Sequence, residues 1–353
     1  MNYNLFNGRK VLVTGHTGFI GSWLTRWLIE LRAEVMGFSL DPPSIPNLYS
    51  ILKIVNQIED IRGDVTDEDS LGSAVIQFQP EIVFHLAAQP LVLESYNNPK
   101  KTFETNVMGT VNLLECLRKT RSVKTIIVMT SDKVYRNDEE ARMFVETDPL
   151  GGLDPYSASK SSQDIIVNSF RKSYFSKSEV SVSSVRAGNV IGGGDWGKDR
   201  LVPDIIRGLT ANNHFTLRNP ESTRSWQYVL DLISGLLHLA WKMQGDATFG
   251  GDWNFGPLSN QSITVREIAE KAISFFGKGE YSVVRSNKRK EATYLGLDSN
   301  KAMRSLNWFP RYDFDNSLSE TLEWYNRYYQ GSHEMDSYIK SLIIRYMKSR
   351  DVV

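Results

Sequence analysis

The segment Tyr156-Ser157-Ala158-Ser159-Lys160 sets a phenol and an amine one helical turn apart on one face. A phenol with a solution pKa of about 10 is too high for a base at neutral pH, and a nearby ammonium favours the phenolate. That pairing suits removal of a proton from an alcohol. Upstream, the apolar run Thr125–Thr130 (TIIVMT) leads into Ser131-Asp132-Lys133. Ser131, at a strand's carboxyl end, is placed to hydrogen-bond the same hydroxyl. A tyrosine and a lysine at this spacing are common by chance; the serine and a glycine loop give the pair its weight.

That loop is Gly15-His16-Thr17-Gly18-Phe19-Ile20-Gly21, directly after the strand candidate Lys10–Thr14 (KVLVT) and before a helical pattern. A dinucleotide pyrophosphate needs a tight turn, close backbone approach and a helix N-terminus aimed at the anion. Glycines supply the first two and free N–H groups the third. The acid expected about 20 residues on, for the adenosine ribose, is Asp41, although Ser39 stands just past the second strand where the acid is more often found. No Arg or Lys lies between Gly37 and Lys53 to meet a 2′-phosphate, which favours NAD over NADP. Gly63-Asp64-Val65 resembles the adenine-holding segment of such enzymes, with helix capping by Asp64 as the plain alternative. A second glycine stretch, Gly192 to Lys198 (GGGDWGK), has Asp199 where a triphosphate loop needs Ser or Thr, and reads as a flexible substrate loop.

The elements that must carry these residues alternate. Strand candidates are Lys10–Thr14, Glu34–Phe38, Ile82–His85, Thr125–Thr130 and Val180–Val185; helical patterns are Ile20–Leu31, Asp67–Phe78, Phe103–Lys119 and Tyr156–Phe175. The pattern predicts an α/β fold, a Rossmann-type doubly wound parallel sheet. Past Arg186 the alternation ends, and helices at Pro203–Leu209 and Val265–Phe276 predict a smaller, mostly helical C-terminal lobe.

The 353 residues suggest about two domains at roughly 150 residues each. Hydrophobic residues are 41% and charged residues 23%, the composition of an ordinary globular chain rather than a disordered or collagen-like one. Lys+Arg and Asp+Glu balance at 41 each, which argues against a nucleic-acid binder. A single cysteine, Cys116, excludes an internal disulfide, and the five histidines form no ligand-spaced cluster, so no metal is expected. No apolar run reaches the length of about 18 residues that a membrane span needs. Val229–Met243, broken by Asp231 and His238, reads as a half-buried helix. The expected setting is the cytoplasm, without membrane or nucleic-acid partners.

With those residues in view, the chain resembles the extended short-chain dehydrogenase/reductases that act on nucleotide sugars, and within them the CDP-glucose 4,6-dehydratases. The resemblance is carried by VTGHTGFIGSWL (13–24), FHLAAQPLV (84–92), TNVMGTVNLLE (105–115), TSDKVY (130–135), GGLDPYSASK (151–160), VRAGNVIGGGDWGKDRLVPDIIRG (185–208), WNFGP (253–257) and EATYLGLD (291–298). It implies that Tyr156 takes the proton of the sugar 4-hydroxyl while hydride passes from C4 to NAD. Lys160 would hold the nicotinamide ribose, and Ser131 would orient the hydroxyl. Asp132 as acid and Lys133 as base would then remove water across C5 and C6, with hydride returned to C6. Gly15, Thr17, Gly18, Phe19, Ile20, Gly21, Asp41, Asp64, Val65, Leu86, Ala87, Ala88, Gln89 and Asn106 would line the cofactor with Tyr156 and Lys160. Gln89, Asn189, Val202, Arg218 and Arg224 would meet a nucleotide-sugar substrate, a CDP-hexose in the first place. The basic cluster Arg285, Lys288, Arg289 and Lys290 reads as a solvated face.

By the same resemblance, residues 1–185 form the NAD-binding domain, to which the chain returns at about 226–250, and 186–225 with 251–353 form the nucleotide-sugar lobe. A homodimer through the helices Phe103–Lys119 and Tyr156–Phe175 is also implied. Val134, Arg136, Leu153, Glu94 and Tyr228 depart from the family pattern, and several of them are expected to border the sugar pocket. A 4-epimerase or C4 oxidoreductase of the same superfamily would need Ser131, Tyr156 and Lys160 but no acid–base pair. A cofactor-sensing protein without chemistry would need neither Tyr156 nor Lys160.

Overall fold

Seven parallel strands form the centre of the molecule. They are β1 (Lys10–Thr14), β2 (Glu34–Ser39), β3 (Glu59–Arg62), β4 (Ile82–His85), β5 (Thr125–Met129), β6 (Ser181–Ala187) and β7 (Asp252–Phe255), in the spatial order β7-β6-β5-β4-β1-β2-β3. In this computed structural model, residues 3–138, 140, 142–211, 213–257, 263–284 and 295–349 are described. The order reverses between β1 and β4, and the crevice beyond the strands' carboxyl ends at such a switch point is where a doubly wound sheet binds its ligand.

Both faces of the sheet are covered, so its central strands are buried nearly throughout, while the edge strand β3 is partly exposed. One face carries α1 (Phe19–Glu30), with Trp23 and Trp27 fully buried. The other carries α2 (Glu68–Phe78), α3 (Pro99–Arg118) and α4 (Pro155–Phe170). Turns of π-helix interrupt α3 at Glu104–Met108 and continue α4 at Arg171–Phe175, where uninterrupted helices were expected. The lobe contains α5 (Leu201–Ala211), then α6 (Val229–Gly245) crosses back under the sheet, and α7 (Val265–Phe276), α8 (Phe314–Tyr329) and α9 (Met335–Lys348) follow.

Several sequence expectations change. Strands β3 and β7 escaped notice because each is four residues long and carries acidic or amide side chains. Since β7 pairs with β6, the stretch 251–353 gives its first residues to the central sheet. Its last helix packs on α1: Arg26 binds Asp336 at 2.7 Å and the rings of Trp27 and Tyr346 meet edge to face at 5.5 Å. The lobe is mostly helical, with short two-stranded ladders such as Glu280–Val283 on His214–Leu217 added to it. Helix α6 is buried almost all round rather than on one side. Its Asp231 is buried because it accepts from the backbone N–H groups of Arg311 and Tyr312 and from the Tyr346 hydroxyl. No helix among the described residues is long and apolar enough to cross a membrane.

Candidate active site

The glycine loop sits at the switch point between β1 and α1. Gly15 adopts φ +76°, and a Cβ there would lie 2.7 Å from the backbone nitrogen of Ala87. A Cβ on Gly21 would lie 2.1 Å from the Gly15 carbonyl oxygen. The loop is therefore folded tightly enough to exclude side chains, and Gly18 caps α1 with no side chain across its first N–H groups. A dinucleotide pyrophosphate fits such a cradle. His16 points inward, its Nε2 2.8 Å from Asp60, and the absence of a side chain on Gly37 makes room for its ring. Thr17 donates to the Leu40 carbonyl and accepts from the Ser39 hydroxyl. Phe19 and Ile20 open α1 behind the loop.

At the adenosine end, Asp41 is exposed and its carboxylate lies 3.5 Å from Arg62. Arg62 comes from β3, whose register sets it opposite Ser39. It lies outside the stretch Gly37 to Lys53 and reaches that strand end only through strand pairing. Its guanidinium is already paired with Asp60 as well as Asp41. Asp64 does not cap α2; Asp67 does, accepting from Ser70 N. Asp64 instead accepts from Lys101 at 2.8 Å and from Thr66 N. Its partial burial is outweighed by those donors, and its carboxyl lies below the usual range. Val65 is buried against Gly109.

Leu86, Ala87 and Ala88 follow β4, and the N–H groups of Leu86 and Ala87 both donate to the Thr14 hydroxyl. The Gln89 side chain turns away into the fold, donating to Thr102 and the Leu91 carbonyl and accepting from Leu91 N. Asn106, on the π turn of α3, exchanges hydrogen bonds with the backbone of Gln89 and donates to Ser159 on α4. Both amides thus brace the cofactor strand end against α4.

The catalytic candidates converge. Ser131 caps the turn after β5, donating to Asp132 at 2.9 Å and accepting from Lys133 N. Asp132 is buried, which pushes its carboxyl up against the opposing pull of Lys133, Ser131 and Arg224. Lys133 is half-buried. Asp154 caps α4 and starts the helix that presents Tyr156 and Lys160. Burial pushes the Tyr156 phenol up to about 12, with the Ser131 hydroxyl and the Arg200 cation drawing it back. Lys160 follows Tyr156 by one turn of α4 and is buried. It donates to Gln163 at 2.9 Å and to the Met129 carbonyl at 3.3 Å, and burial draws its ammonium down to about 7.

Of the substrate candidates, Arg224 lies near enough to Asp132 to act on its charge. Asn189 is half-buried in its ladder with Trp226. Arg218 pairs with Asp199 at 2.6 Å on the surface. Val202 is buried and packs in the apolar core. Two residues earlier stands Arg200, which was missed; it pairs with Asp195 at 2.9 Å and acts on the Tyr156 charge. Its position inside the 185–208 resemblance was the available signal. The loop 192–198 is buried from Gly192 to Trp196, and Lys198 is exposed. A Cβ on Gly193 would fall 1.9 Å from the Trp324 ring, and Asp195 N donates to Tyr325. Among the departures, Val134 and Tyr228 are core residues, Leu153 and Arg136 are exposed, and Glu94 accepts from the Asn98 amide. The cluster Arg285, Lys288, Arg289 and Lys290, and the segment 291–294, lie outside the described residues.

The family model described as GDP-mannose 4,6 dehydratase matches residues 12–321. A CDP-glucose 4,6-dehydratase of Salmonella typhimurium is 43% identical over 335 residues, 93% of each chain. A dTDP-glucose 4,6-dehydratase of Escherichia coli is 26% identical over 90% of this chain and 92% of its own. Among solved structures, a UDP-glucose 4-epimerase of Thermus thermophilus in complex with NAD superposes with a TM-score of 0.78 at 25% identity, over 92% of this chain and 99% of that one.

Proposed function

The chain belongs to the GDP-mannose 4,6-dehydratase family of extended short-chain dehydrogenase/reductases, and on that premise we propose that it is an NAD-dependent nucleotide-sugar 4,6-dehydratase, with CDP-glucose as substrate. The observation that carries this reading is the buried acid Asp132, hydrogen-bonded to Ser131 and flanked by Lys133 beside Tyr156. A C4 oxidation alone has no use for that acid.

Gly15, Gly18, Gly21 and the first turn of α1 would hold the NAD pyrophosphate, and Lys160 its nicotinamide ribose. The dinucleotide supplies, when bound, a two-electron acceptor that is regenerated within each turnover. Tyr156, its pKa raised by burial and opposed in that by the Ser131 hydroxyl and the Arg200 charge, takes the 4-hydroxyl proton as the C4 ketone forms. The ketone acidifies C5, whose proton Lys133 removes and later returns. Asp132, whose pKa burial raises, gives its proton to the departing 6-hydroxyl, which leaves as water. The proton held by Tyr156 makes good the one Asp132 gave up, so the net change is loss of one water. Arg224 and Asn189 border the sugar diphosphate in this reading.

Exposed Phe103 and Met108 on α3, and Ile165 on α4 with Tyr174 just beyond it, support a homodimer through those helices, and the unpaired Cys116 accords with a cytoplasmic setting. Incubating the purified protein with CDP-, dTDP-, UDP- and GDP-hexoses and weighing the products tests the function. Loss of one water from CDP-glucose is expected. The structural likeness to a 4-epimerase favours a second reading, and an isomerised sugar of unchanged mass would select it.

A further inference from the structure

Lys160 is the end of a buried run of hydrogen bonds that the mechanism above does not use. Its ammonium donates to Gln163 Oε1 at 2.9 Å, and Gln163 Nε2 donates to Thr110 Oγ1 at 2.8 Å. Thr110 Oγ1 lies 3.0 Å from His85 Nε2, and His85 Nδ1 lies 2.7 Å from Thr14 Oγ1. Thr14 Oγ1 accepts from the N–H groups of Leu86 and Ala87. Gln163, Thr110, His85 and Thr14 are all fully buried.

Donor counting leaves one arrangement of protons. Thr110 donates its hydrogen to the Asn106 carbonyl at 2.9 Å, so its oxygen can only accept from Gln163 and His85. His85 therefore carries its proton on Nε2, and Nδ1 accepts from the Thr14 hydroxyl. The reverse tautomer would press three donors onto the Thr14 oxygen and leave the hydroxyl hydrogen of Thr14 without an acceptor. Burial holds the imidazole neutral, its pKa drawn down to about 3, which suits this fixed role. A run whose every proton has one place transmits position rather than protons.

We propose that Gln163 is a positioning residue for the oxidation: the run Lys160–Gln163–Thr110–His85–Thr14 sets the lysine ammonium and the Leu86–Ala87 turn relative to each other, so that ribose and phosphate loop are gripped in one register. The proposal rests on the NAD-dependent reading above. Gln163 and the Met129 carbonyl take two of the three ammonium hydrogens, and the third serves the cofactor ribose. The groups facing Lys160 are few. Asp164, one turn further along α4 and paired with Arg186 of β6, favours the charged form, and neutral His85 faces it across the run.

The test follows the lysine itself, without cofactor. Protein labelled with 13C at the lysine ε carbon is titrated by NMR, the Lys160 resonance being the one lost in Lys160→Arg. Gln163→Glu is expected to raise the Lys160 midpoint by roughly one pH unit or more, and Gln163→Met to lower it. NAD binding, read by tryptophan quenching, is expected to weaken about tenfold in Gln163→Met. Equal midpoints in wild type and the isosteric Gln163→Glu would overturn the proposal, whether or not Gln163→Met folds. If wild type binds no NAD, the functional reading fails while the lysine titration still judges Gln163.

Discussion

At the candidate site, burial is the largest influence on the titration of Asp132, Tyr156 and Lys160. Burial pushes the Asp132 carboxyl up from its ordinary value, the direction that suits the proposed acid. In the proposed mechanism the acid form is the active one, present below that raised pKa and lost as pH climbs through it. kcat/KM for dehydration is expected to fall on the alkaline side, and Asp132→Asn to abolish that limb. Asp132→Asn and Lys133→Met should each lower turnover by about 100- to 10,000-fold while leaving C4 oxidation intact. Reduced cofactor would then accumulate in a rapid absorbance trace without loss of water from the sugar. Full turnover by Lys133→Met would remove the dehydratase mechanism. Tyr156→Phe, by contrast, should stop the first step and give no absorbance change.

At the scale of elements, close packing of backbone decides what the loops can do. Gly21→Ala forces a methyl to within 2.1 Å of the Gly15 carbonyl, so the turn must open and the pyrophosphate seat is lost. Calorimetry should show NAD binding weakened about 100-fold or more, some 3 kcal/mol, with the cooperative unfolding transition kept. The other glycine stretch answers to a different constraint. Gly193 is pressed against Trp324, and the Trp23 indole donates to its carbonyl at 2.9 Å. Gly193→Ala should cost about 1–3 kcal/mol by overpacking, measured by urea unfolding. An unchanged midpoint would mean that the loop is not held by α8.

Over the whole molecule, Asp231 ties the C-terminal helix to α6 and carries a cost with pH. Burial raises its carboxyl to about 6, above its unfolded value, so the fold favours the protonated form. Its contribution is full at pH 4 and below and is lost as pH rises through 6. That loss is about 3 kcal/mol, by linkage. The stability of wild type relative to Asp231→Asn should therefore fall between pH 4 and 6, and parallel curves in denaturant titrations would contradict the assignment. Sedimentation should show a dimer for wild type and a monomer for Ile165→Glu if the exposed faces of α3 and α4 meet a second copy.

The amino-acid sequence determined what local chemistry can determine. The glycine loop after β1, the Ser131-Asp132-Lys133 strand end and the Tyr156/Lys160 helix turn are encoded by spacing within single elements, where backbone geometry leaves little choice. The alternation of long elements carried the sheet class for the same reason. Only the tertiary structure decided what distant segments do to one another. It brought Arg62 to Ser39 through strand pairing, set Arg200 beside Tyr156, buried Val202, and turned Lys160 toward Gln163 instead of the phenol. It also drew the four residues of β7 into the sheet, because an edge strand is defined by its neighbour and not by its own composition. Side-chain partners and burial are properties of the packed chain, and no spacing along the sequence contains them.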